Sequence, residues 1–384
     1  MSRLGVAVIG LGWWGQVIVP LLKDSAKLRV VLGVDPRPEA AEFAEKQGIA
    51  HAEKFETALK RPDVQGVVLC TPHSLHNEQI LKAAAAKKHV FCEKPLAMSR
   101  ADVLKAVKAC NDNKVALAVG HEKRFHHTLA QAGELLRAGA IGEPFHVGVH
   151  WASNAKLDPE ALVPDGFRPG YEWRWRDQSV GGGLVQDHLP HYVDLLRHWT
   201  GLEPLTVYAD CRNVARDVLG WPEEESRWED FGLAVVQFEG ALELRFETSV
   251  VGRSVSPIWA LGSGVGEWTE YGYVLGSAGQ LVFDLLPWDS SEHGRIALWQ
   301  LDAAREGRGW TWIEQAEPPR RAGGASAAMF RAQAESWADL IEGRQAAIAT
   351  GEDGAVALAA VEAAYASAAR RGAVDVATRD GVRA

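Results

Sequence analysis

Residues 6–15 read Val-Ala-Val-Ile-Gly-Leu-Gly-Trp-Trp-Gly, and this stretch decides the fold of the N-terminal part of the chain. Its four apolar residues predict a strand buried on both faces, as in a parallel sheet. Gly10, Gly12 and Gly15 then form G-x-G-x-x-G where the strand turns into a helix. The first glycine permits a tight turn, the second lets the backbone approach a pyrophosphate, and the third lets helix and strand pack closely. The stretch therefore predicts a dinucleotide-binding site.

The second predicted strand, residues 27–34, indicates which dinucleotide is bound. It ends at Asp35, 20 residues after Gly15. A carboxylate there can accept hydrogen bonds from both ribose hydroxyls of an adenosine and repel a 2′-phosphate, which favours NAD over NADP. Arg37 qualifies this prediction, because a guanidinium two residues further on could hold that phosphate. We expect NAD as the cofactor, with NADP left open.

Short apolar runs alternate with helical patterns as far as residue 122. The predicted strands are residues 66–70, 89–92 and 115–119, and the predicted helices include 38–47 and 99–113. Such alternation indicates parallel βαβ units wound on both faces of one sheet. We predict an α/β Rossmann domain, a doubly wound parallel sheet, over residues 1–122.

The remaining residues, 123–384, show a different pattern. From residue 145 the chain is rich in strand patterns, with a hairpin predicted within 233–247 around Gly240. Helical patterns return at 325–342 and 355–371. We predict an α+β substrate-binding and oligomerisation domain with a large open, mostly antiparallel sheet.

Composition limits the classes of function. The 384 residues carry a formal net charge of −9 and no long basic run, which argues against a nucleic-acid partner. No stretch approaches the roughly 20 apolar residues of a membrane span. The four cysteines contain no C-x-x-C pair, so neither a zinc ribbon nor a redox motif is indicated. The first four residues lead directly into a strand, which leaves no room for a secretory signal, and we expect a cytoplasmic protein.

Glu93-Lys94-Pro95 follows the predicted strand 89–92. Ligands of open parallel sheets lie outside the carboxyl ends of the strands, so Lys94 is expected to project towards the nicotinamide end of the cofactor. Proline restricts the lysine backbone and can itself take the cis form. The lysine could hydrogen-bond a substrate hydroxyl and stabilise the alkoxide as hydride leaves. Glu93 and Lys94 are therefore candidate cofactor contacts.

Thr71-Pro72 follows the strand 66–70, and His76 falls in the first turn of the next helix. We take Thr71, Pro72 and His76 as candidate cofactor contacts, although a packed or solvated histidine is the more ordinary interpretation of His76.

The stretch 181–194 begins with three glycines and continues with Asp187, Pro190, His191 and Asp194. A glycine run followed by a helix lets the backbone come close to a ligand. Asp187 and His191 are i and i+4, with Asp194 at i+7, so they share one helical face. Histidine is the usual proton acceptor near neutral pH, and a neighbouring carboxylate raises its basicity. Pro190 suggests that a kink or a helix start separates Asp187 from His191.

The same stretch contains residue types that bind metal ions. His188 and His191 have H-x-x-H spacing, but no third ligand motif accompanies them. We expect no metal.

Taken together, these motifs resemble the glucose–fructose oxidoreductase / inositol dehydrogenase (Gfo/Idh/MocA) family. The similarity rests on the glycine motif, Glu93-Lys94-Pro95 and the segment from Gly181 to His191. Residues 173–177, 275–279 and 351–354 are similar to further family segments. The resemblance implies reversible NAD(P)-dependent oxidation of a secondary alcohol on a sugar, inositol or related polyol. It also implies a homodimer or homotetramer formed through the outer face of the C-terminal sheet.

Carried over by motif, the catalytic residues would be Lys94, Asp187 and His191. Lys94 would contact the substrate hydroxyl and the nicotinamide ribose, Asp187 would orient the substrate, and His191 would be the general acid/base. Tryptophan faces can stack on sugars, which makes Trp175 a candidate substrate contact.

The chain also departs from the family pattern. His121 stands where an aromatic residue is commoner, which predicts a more polar pocket wall. Trp13 and Trp14 are bulky for the glycine turn and are candidate cofactor contacts. Residues 158–171 look like a longer insertion, in which Arg168 could bind an anionic substrate.

Two alternatives remain. The first is a dehydrogenase of a dihydrodiol or carboxylated ring alcohol, because arginines can pair bidentately with a carboxylate. Its candidate carboxylate-binding residues are Arg124, Arg168, Arg174 and Arg176. The second is a non-catalytic nucleotide-sensing regulator, which the complete set of Lys94, Asp187 and His191 argues against.

Overall fold

The computed structural model describes residues 3–153, 182–225, 227–250, 268–285, 294–313 and 324–377. Contacts divide the chain into two compact units. The first contains the residues up to 125 together with 327–358, and the second contains 126–326 together with 359–380. Within the described ranges, no helix combines the length and the apolar character that crossing a membrane requires.

The described secondary structure follows the predicted order of elements. The strands are β1 (Leu4–Ile9), β2 (Leu28–Val34), β3 (Ala50–Ala52), β4 (Gly66–Leu69), β5 (His89–Cys92), β6 (Leu117–Val119), β7 (Pro144–Ser153), β8 (Pro204–Arg212), β9 (Phe231–Phe238), β10 (Glu243–Ser249), β11 (Trp268–Gly276), β12 (Gly279–Leu285), β13 (Arg295–Gln300), β14 (Thr311–Trp312), β15 (Ala349–Thr350) and β16 (Val374–Asp375). The α-helices are α1 (Trp13–Lys23), α2 (Pro38–Gln47), α3 (Phe55–Lys60), α4 (His73–Ala85), α5 (Arg100–Asn113), α6 (His127–Arg137), α7 (Leu184–Thr200), α8 (Val214–Asp217), α9 (Leu301–Arg305), α10 (Gly324–Ile341) and α11 (Gly351–Arg370).

The first unit is built on one sheet with the strand order β15-β6-β5-β4-β1-β2-β3. The strands from β6 to β3 are parallel, and β15 pairs antiparallel with β6. The continuously apolar strands β1, β4, β5 and β6 bury nearly every side chain, as expected of a sheet covered on both faces. This confirms the predicted Rossmann domain. Helix α2 has the predicted bounds, and Gly48 ends it with a left-handed φ of 66°.

Helix α10 completes the core of the first unit. Trp337 is fully buried, packs edge-on against Phe91 of β5 and covers Gly66, where a Cβ atom would lie 2.6 Å from its ring. Polar contacts also tie this helix to the unit, because Glu335 accepts from the Ser25 hydroxyl at 2.8 Å.

The sequence-based division at residue 122 differs from this arrangement. The first stretch ends at 125, close to that boundary, but residues 327–358 are counted with the first unit. The physical reason is burial, since the apolar face of α10 lies in the same hydrophobic cluster as β1 and α1.

The second unit contains the predicted large sheet, with the order β14-β13-β12-β11-β7-β10-β9-β8-β16 among the described strands. Its pairs are antiparallel, except that β10 and β7 run parallel. The predicted hairpin is formed by β9 and β10, joined by a short 3₁₀ turn over residues 239–241. Strand β8 was not predicted. Its pairing with β9 positions it despite a sequence of mixed polarity.

Candidate functional site

The glycine turn after β1 has the geometry of a phosphate-binding loop. Gly10 has a φ of 87°, and a Cβ atom there would lie 2.8 Å from the Cys70 carbonyl oxygen. At Gly15 a Cβ atom would lie 2.0 Å from the Gly10 carbonyl oxygen, so this glycine lets α1 pack on the turn. At Gly12 the nearest atom would be the Arg37 Nη2, 3.8 Å away, which leaves space beside the start of the helix. These three environments fit the phosphates of a dinucleotide.

Asp35 follows β2 and is 5% exposed. Its Oδ2 accepts from the Leu11 N–H at 2.8 Å and the Arg37 Nη2 at 2.9 Å. Its Oδ1 accepts from the Arg37 backbone N–H at 3.0 Å and from the Arg37 Nε at 2.9 Å. Burial opposes the ionised form, but the bonds from Arg37 and Leu11 outweigh it and hold the pKa of Asp35 below its usual value. The carboxylate is therefore ionised and fully engaged within the chain.

Trp13 and Trp14 begin α1, with ring centroids 5.4 Å apart. The Trp14 ring meets Phe330 of α10 edge to face, at a centroid distance of 4.9 Å. Trp14 is thus partly used in packing within the first unit, which accounts for a bulky residue at this turn.

The predicted lysine turn follows β5, and the peptide bond between Lys94 and Pro95 is cis. The neighbouring Glu93 carboxylate lies over Gly120, where a Cβ atom would come within 2.8 Å of its Oε2. Burial raises the pKa of Glu93 to about 7, and the Glu122 carboxylate adds to this rise, whereas Trp14 and Lys94 oppose it. The end of β5 therefore holds a carboxyl group that titrates near neutral pH.

His76 lies in α4, between the turns that follow β4 and β5. It is fully buried, and its ring nitrogens lie 2.7 Å from the Pro95 carbonyl oxygen and 2.8 Å from the Thr71 carbonyl oxygen. In the structure His76 joins the turns after β4 and β5, and its contact with the cofactor stays a prediction. Pro72 is the N-cap residue of α4, and the Thr71 hydroxyl donates to the Gln79 Oε1 at 2.6 Å.

The two predicted substrate contacts after β6 are also buried. His121 is 2% exposed, and its backbone N–H donates to the amide oxygen of Gln333 at 3.1 Å when that amide is turned towards it. The Arg124 guanidinium donates to the Ala347 carbonyl at 3.1 Å and pairs with Asp353 at 3.1 Å. Arg124 therefore serves the first unit as a structural ion pair, which weakens its assignment as a carboxylate-binding residue. Arg168, Arg174, Trp175 and Arg176 lie outside the described residues.

Helix α7 in the second unit carries Asp187, His191 and Asp194. The helix passes through Pro190 without interruption, so the expected second helix start does not occur and the i, i+4 relation holds. His191 and Asp194 are 3% and 1% exposed. Asp187 lies in the first turn, with its backbone N–H bonded to the Gly183 carbonyl at 3.1 Å.

His188 also faces this region. Its ring stacks on Trp151 at the end of β7, with centroids 4.1 Å apart. Its Nδ1 lies 3.3 Å from the Thr248 hydroxyl, and its Nε2 lies 3.8 Å from the Asp187 Oδ2. Sequence reasoning did not assign His188 or Trp151 a place beside Asp187. The described ranges contain no group of three or more histidine, cysteine or acidic side chains placed to hold a metal ion.

The glycine run before α7 packs against side chains that the sequence analysis did not identify. A Cβ atom on Gly182 would lie 2.3 Å from the Tyr365 hydroxyl, and one on Gly183 would lie 2.3 Å from the Glu229 carbonyl oxygen. These two glycines make room for side chains of the same unit and not for a ligand, which corrects the earlier interpretation. No local signal could have found Glu229 or Tyr365, because both are distant in sequence.

Comparisons with known proteins agree with this geometry. A family model described as an oxidoreductase family with an NAD-binding Rossmann fold matches residues 4–121. A second, the GFO/IDH/MocA C-terminal domain, matches residues 129–279.

Two curated relatives are similar over part of the chain. The 2,7-anhydro-N-acetylneuraminate hydratase of Mediterraneibacter gnavus is 29% identical over 225 residues, which are 59% of this chain and 57% of that protein. The myo-inositol 2-dehydrogenase of Thermotoga maritima is 32% identical over 218 residues, which are 56% and 60%. The chain thus spans less than two thirds of the length of these relatives.

Among solved structures, an aldose–aldose oxidoreductase from Caulobacter crescentus, in complex with glycerol, superimposes with a TM-score of 0.77 at 25% identity. The match covers 97% of this chain and 100% of that chain. The two family models together span well over half of the sequence, and their ranges include the glycine turn, the Lys94–Pro95 turn and the helix of Asp187 and His191. The chain belongs to the Gfo/Idh/MocA oxidoreductase family.

Proposed function

We propose that the protein is an NAD(P)-dependent dehydrogenase that oxidises a secondary alcohol of a sugar, an inositol or a related polyol. One observation carries this proposal. The glycine turn after β1, Asp35 after β2 and Lys94 after β5 all follow the carboxyl ends of parallel strands in one sheet. That edge is where open α/β sheets bind ligands, and a lysine there has no role in binding the adenosine half of a dinucleotide.

Each candidate residue has a role that its chemistry supports. NAD, when bound, accepts the hydride from the carbinol carbon. The N–H groups at the start of α1 bind the phosphates, and Asp35 binds the adenosine ribose. His191 takes the hydroxyl proton, Asp187 orients the substrate, and Lys94 stabilises the developing oxyanion.

NAD is the proposed cofactor, and NADP is the alternative. Support for NAD comes from the ionised Asp35 carboxylate, which would repel a 2′-phosphate. Support for NADP comes from Arg37, whose side chain is 48% exposed and within reach of the same position.

The test is the absorbance of reduced nicotinamide after purified protein is mixed with NAD or NADP and a panel of inositols, aldoses, glycosides and ring dihydrodiols. We expect turnover with a polyol. His191→Ala should lower kcat by about 10²–10⁴-fold while the Kd for NADH is unchanged. His198→Ala, in the last turn of the same helix, is the matched control. Equal losses of kcat and NADH affinity would contradict the role of His191.

A redox-neutral reaction is a second candidate, because one similar protein is named a hydratase. It is distinguished by mass spectrometry of the substrate, which would change by the mass of water without accumulation of NADH. A carboxylated ring alcohol would be indicated by activity on uronates but not on the neutral sugars. NADH binding without conversion of any substrate would favour a nucleotide-sensing regulator.

We also propose that two or four copies associate through the sheet of the second unit. Along one face lie Tyr208, Arg245 and Tyr273, and Tyr208 is 47% exposed. Aromatic residues at such a surface are typical of interfaces. Light scattering of the wild type and of Tyr208→Glu tests this, with a monomeric wild type as the contrary result.

A cytoplasmic location is proposed from the four cysteines, all of which are unpaired thiols.

A further inference from the structure

Three successive backbone N–H groups at the start of α7 are bound by a single residue, Glu229. The Gly183 N–H donates to its Oε2 at 3.2 Å, and the Val185 N–H donates to its Oε1 at 2.9 Å. The Leu184 N–H donates to its carbonyl oxygen at 3.4 Å. The first N–H groups of a helix have no partner within the helix, so Glu229 supplies the bonds that would otherwise be missing.

Tyr365 of α11 completes this arrangement. Its hydroxyl donates to the Glu229 Oε1 at 2.8 Å and lies 3.2 Å from the Gly183 nitrogen. Glu229 is 8% exposed, and burial raises its pKa, although the bonds from Tyr365, Val185 and Gly183 oppose that rise. Burial likewise raises the pKa of the Tyr365 phenol.

The backbone is shaped around this pair of side chains. Gly183 has no space for a Cβ atom because the Glu229 carboxyl carbon would lie 2.8 Å away, and at Gly182 the Tyr365 hydroxyl would lie 2.3 Å away. A Cβ atom at Gly183 would also meet backbone, at 2.3 Å from the Glu229 carbonyl oxygen, whereas one at Gly182 would displace the Tyr365 side chain. The two glycines, Glu229 and Tyr365 therefore form one interlocking contact, which we call the helix clasp.

The clasp acts directly on the turn that carries Asp187. The Asp187 backbone N–H bonds to the Gly183 carbonyl, so Gly183 is held on one side by Glu229 and holds Asp187 on the other. His191 follows one turn later on the same continuous helix. Because both residues lie in the first two turns of this helix and Asp187 is bonded to Gly183, a displacement of the helix start shifts the backbone that carries them.

We propose that Glu229, assisted by Tyr365, is a positioning residue that sets the place of Asp187 and His191 by clasping the start of their helix. This inference rests on the proposed catalytic role of those two residues. Glu229 does not itself contact the reacting atoms. Its contribution to rate comes from holding the acid/base groups within the small tolerance that catalysis requires.

The chain contains a matched control in the next residue. Asp230 accepts from the Val214 N–H at 2.6 Å and from the Ala215 N–H at 3.0 Å, and so caps α8. Asp230 is fully buried. It is thus a neighbouring carboxylate with the same capping chemistry on a helix that carries no candidate site residue. Glu229→Gln and Asp230→Asn each replace one carboxylate oxygen by an amide nitrogen, which cannot accept a hydrogen bond from an N–H.

The experiment compares Glu229→Gln, Tyr365→Phe and Asp230→Asn with the wild type by kcat, KM, Kd for NADH and thermal unfolding. We expect Glu229→Gln to lower kcat by roughly 10–100-fold with a smaller change in KM, and Tyr365→Phe to have a weaker effect in the same direction. Asp230→Asn should lower the unfolding temperature while kcat stays within about two-fold, since misplacing α8 does not disturb the acid/base groups.

A second readout does not depend on turnover. In protein with ¹³C-labelled histidine, the His191 imidazole signal is identified by its loss in His191→Ala and titrated with pH. We expect its chemical shift and titration midpoint to change in Glu229→Gln and to stay unchanged in Asp230→Asn.

An unchanged kcat and an unchanged His191 signal in Glu229→Gln would overturn the proposal, as would equal losses of kcat in Glu229→Gln and Asp230→Asn. If the wild type oxidises no alcohol, the proposed function fails, and the His191 titration still decides whether the clasp positions the helix.

Discussion

Replacement of Arg37 by methionine tests how the chain selects its cofactor. All four lone-pair positions of the Asp35 carboxylate are occupied, two of them by the Arg37 guanidinium at 2.9 Å. NAD can hydrogen-bond Asp35 through its ribose hydroxyls only after the guanidinium moves away. Arg37 therefore competes with NAD, whereas a 2′-phosphate would attract the same guanidinium.

The magnitude follows from exposure. The Arg37 side chain is 48% exposed, whereas the Asp35 side chain is only 6% exposed. Because the guanidinium is already half in water and the ribose hydroxyls replace its bonds to the carboxylate, we take the cost of opening this pair as about 1 kcal/mol. Arg37→Met removes that cost, and the Kd for NAD should fall by about five-fold. For NADP the variant loses hydrogen bonds to a charged group, worth about 1.5–3 kcal/mol, and the Kd should rise by roughly 10- to 100-fold.

Isothermal titration calorimetry with NAD and NADP measures both constants. Arg61→Met is the matched control, because Arg61 forms a bidentate pair with Asp63 at 2.9 and 2.6 Å. This pair precedes β4 and lies at the amino ends of the parallel strands, whereas Asp35 lies at their carboxyl ends. It should change neither constant. Weaker binding of NAD by Arg37→Met, or equal changes for the two cofactors, would refute the competition.

Three further predictions concern the first unit. Gly12→Ala should weaken NAD binding at an unchanged unfolding temperature, whereas Gly15→Ala should lower that temperature. The reason is that only the Cβ atom at position 15 would meet backbone, at 2.0 Å from the Gly10 carbonyl oxygen. In the folded protein the pKa of Glu93 is about 7, above its ordinary value of 4.5. The contribution of its protonated form to folding stability is therefore fully present below pH 4.5 and is lost as the pH rises through 7. Glu93→Gln should therefore gain thermal stability over the wild type at pH 8 but not at pH 5. Trp337→Ala should cost about 3–5 kcal/mol of unfolding free energy, since the side chain is fully buried.

Specific outcomes would contradict each of these. Equal unfolding temperatures for Gly12→Ala and Gly15→Ala would disagree with the packing of the turn. A stability difference between Glu93→Gln and the wild type that stays constant from pH 5 to 8 would place the titration elsewhere. Trp312, which is 52% exposed, is the control for Trp337, and an equal loss from Trp312→Ala would argue against the packing of α10 in the core.

Much of the fold could be predicted because local patterns and packing agree. The strands of the Rossmann sheet are buried on both faces, which makes their sequences continuously apolar and easy to recognise. Strand β8 is different, since it alternates weakly and contains Asp210 and Arg212. Its conformation is set by pairing with β9, and pairing with a strand elsewhere in the chain leaves no periodic signal in the sequence of β8.

The candidate site divides in the same way. Gly10, Gly12 and Gly15 were found because a phosphate-binding turn needs them at fixed spacing within a few residues. The surroundings of His76 could not be predicted, because a histidine after a strand end has the same sequence signature whether it faces a ligand or supports the turn. Only the carbonyl groups of Thr71 and Pro95, brought to its two ring nitrogens, distinguish the two cases.

By itself, the sequence determined the Rossmann domain, the dinucleotide turn, the strand-rich C-terminal part with its hairpin and closing helices, and the residue types that carry the chemistry. All of these depend on spacing within one or two elements, which local sterics and burial set. The tertiary structure decided that α10 completes the core of the first unit and that the Arg37 guanidinium binds the Asp35 carboxylate. It also decided that Gly182 and Gly183 leave room for Tyr365 and Glu229. Apart from the Arg37 pair, which depends on a side-chain conformation, these contacts join residues far apart in the chain, and only the packing of the folded core brings such residues together.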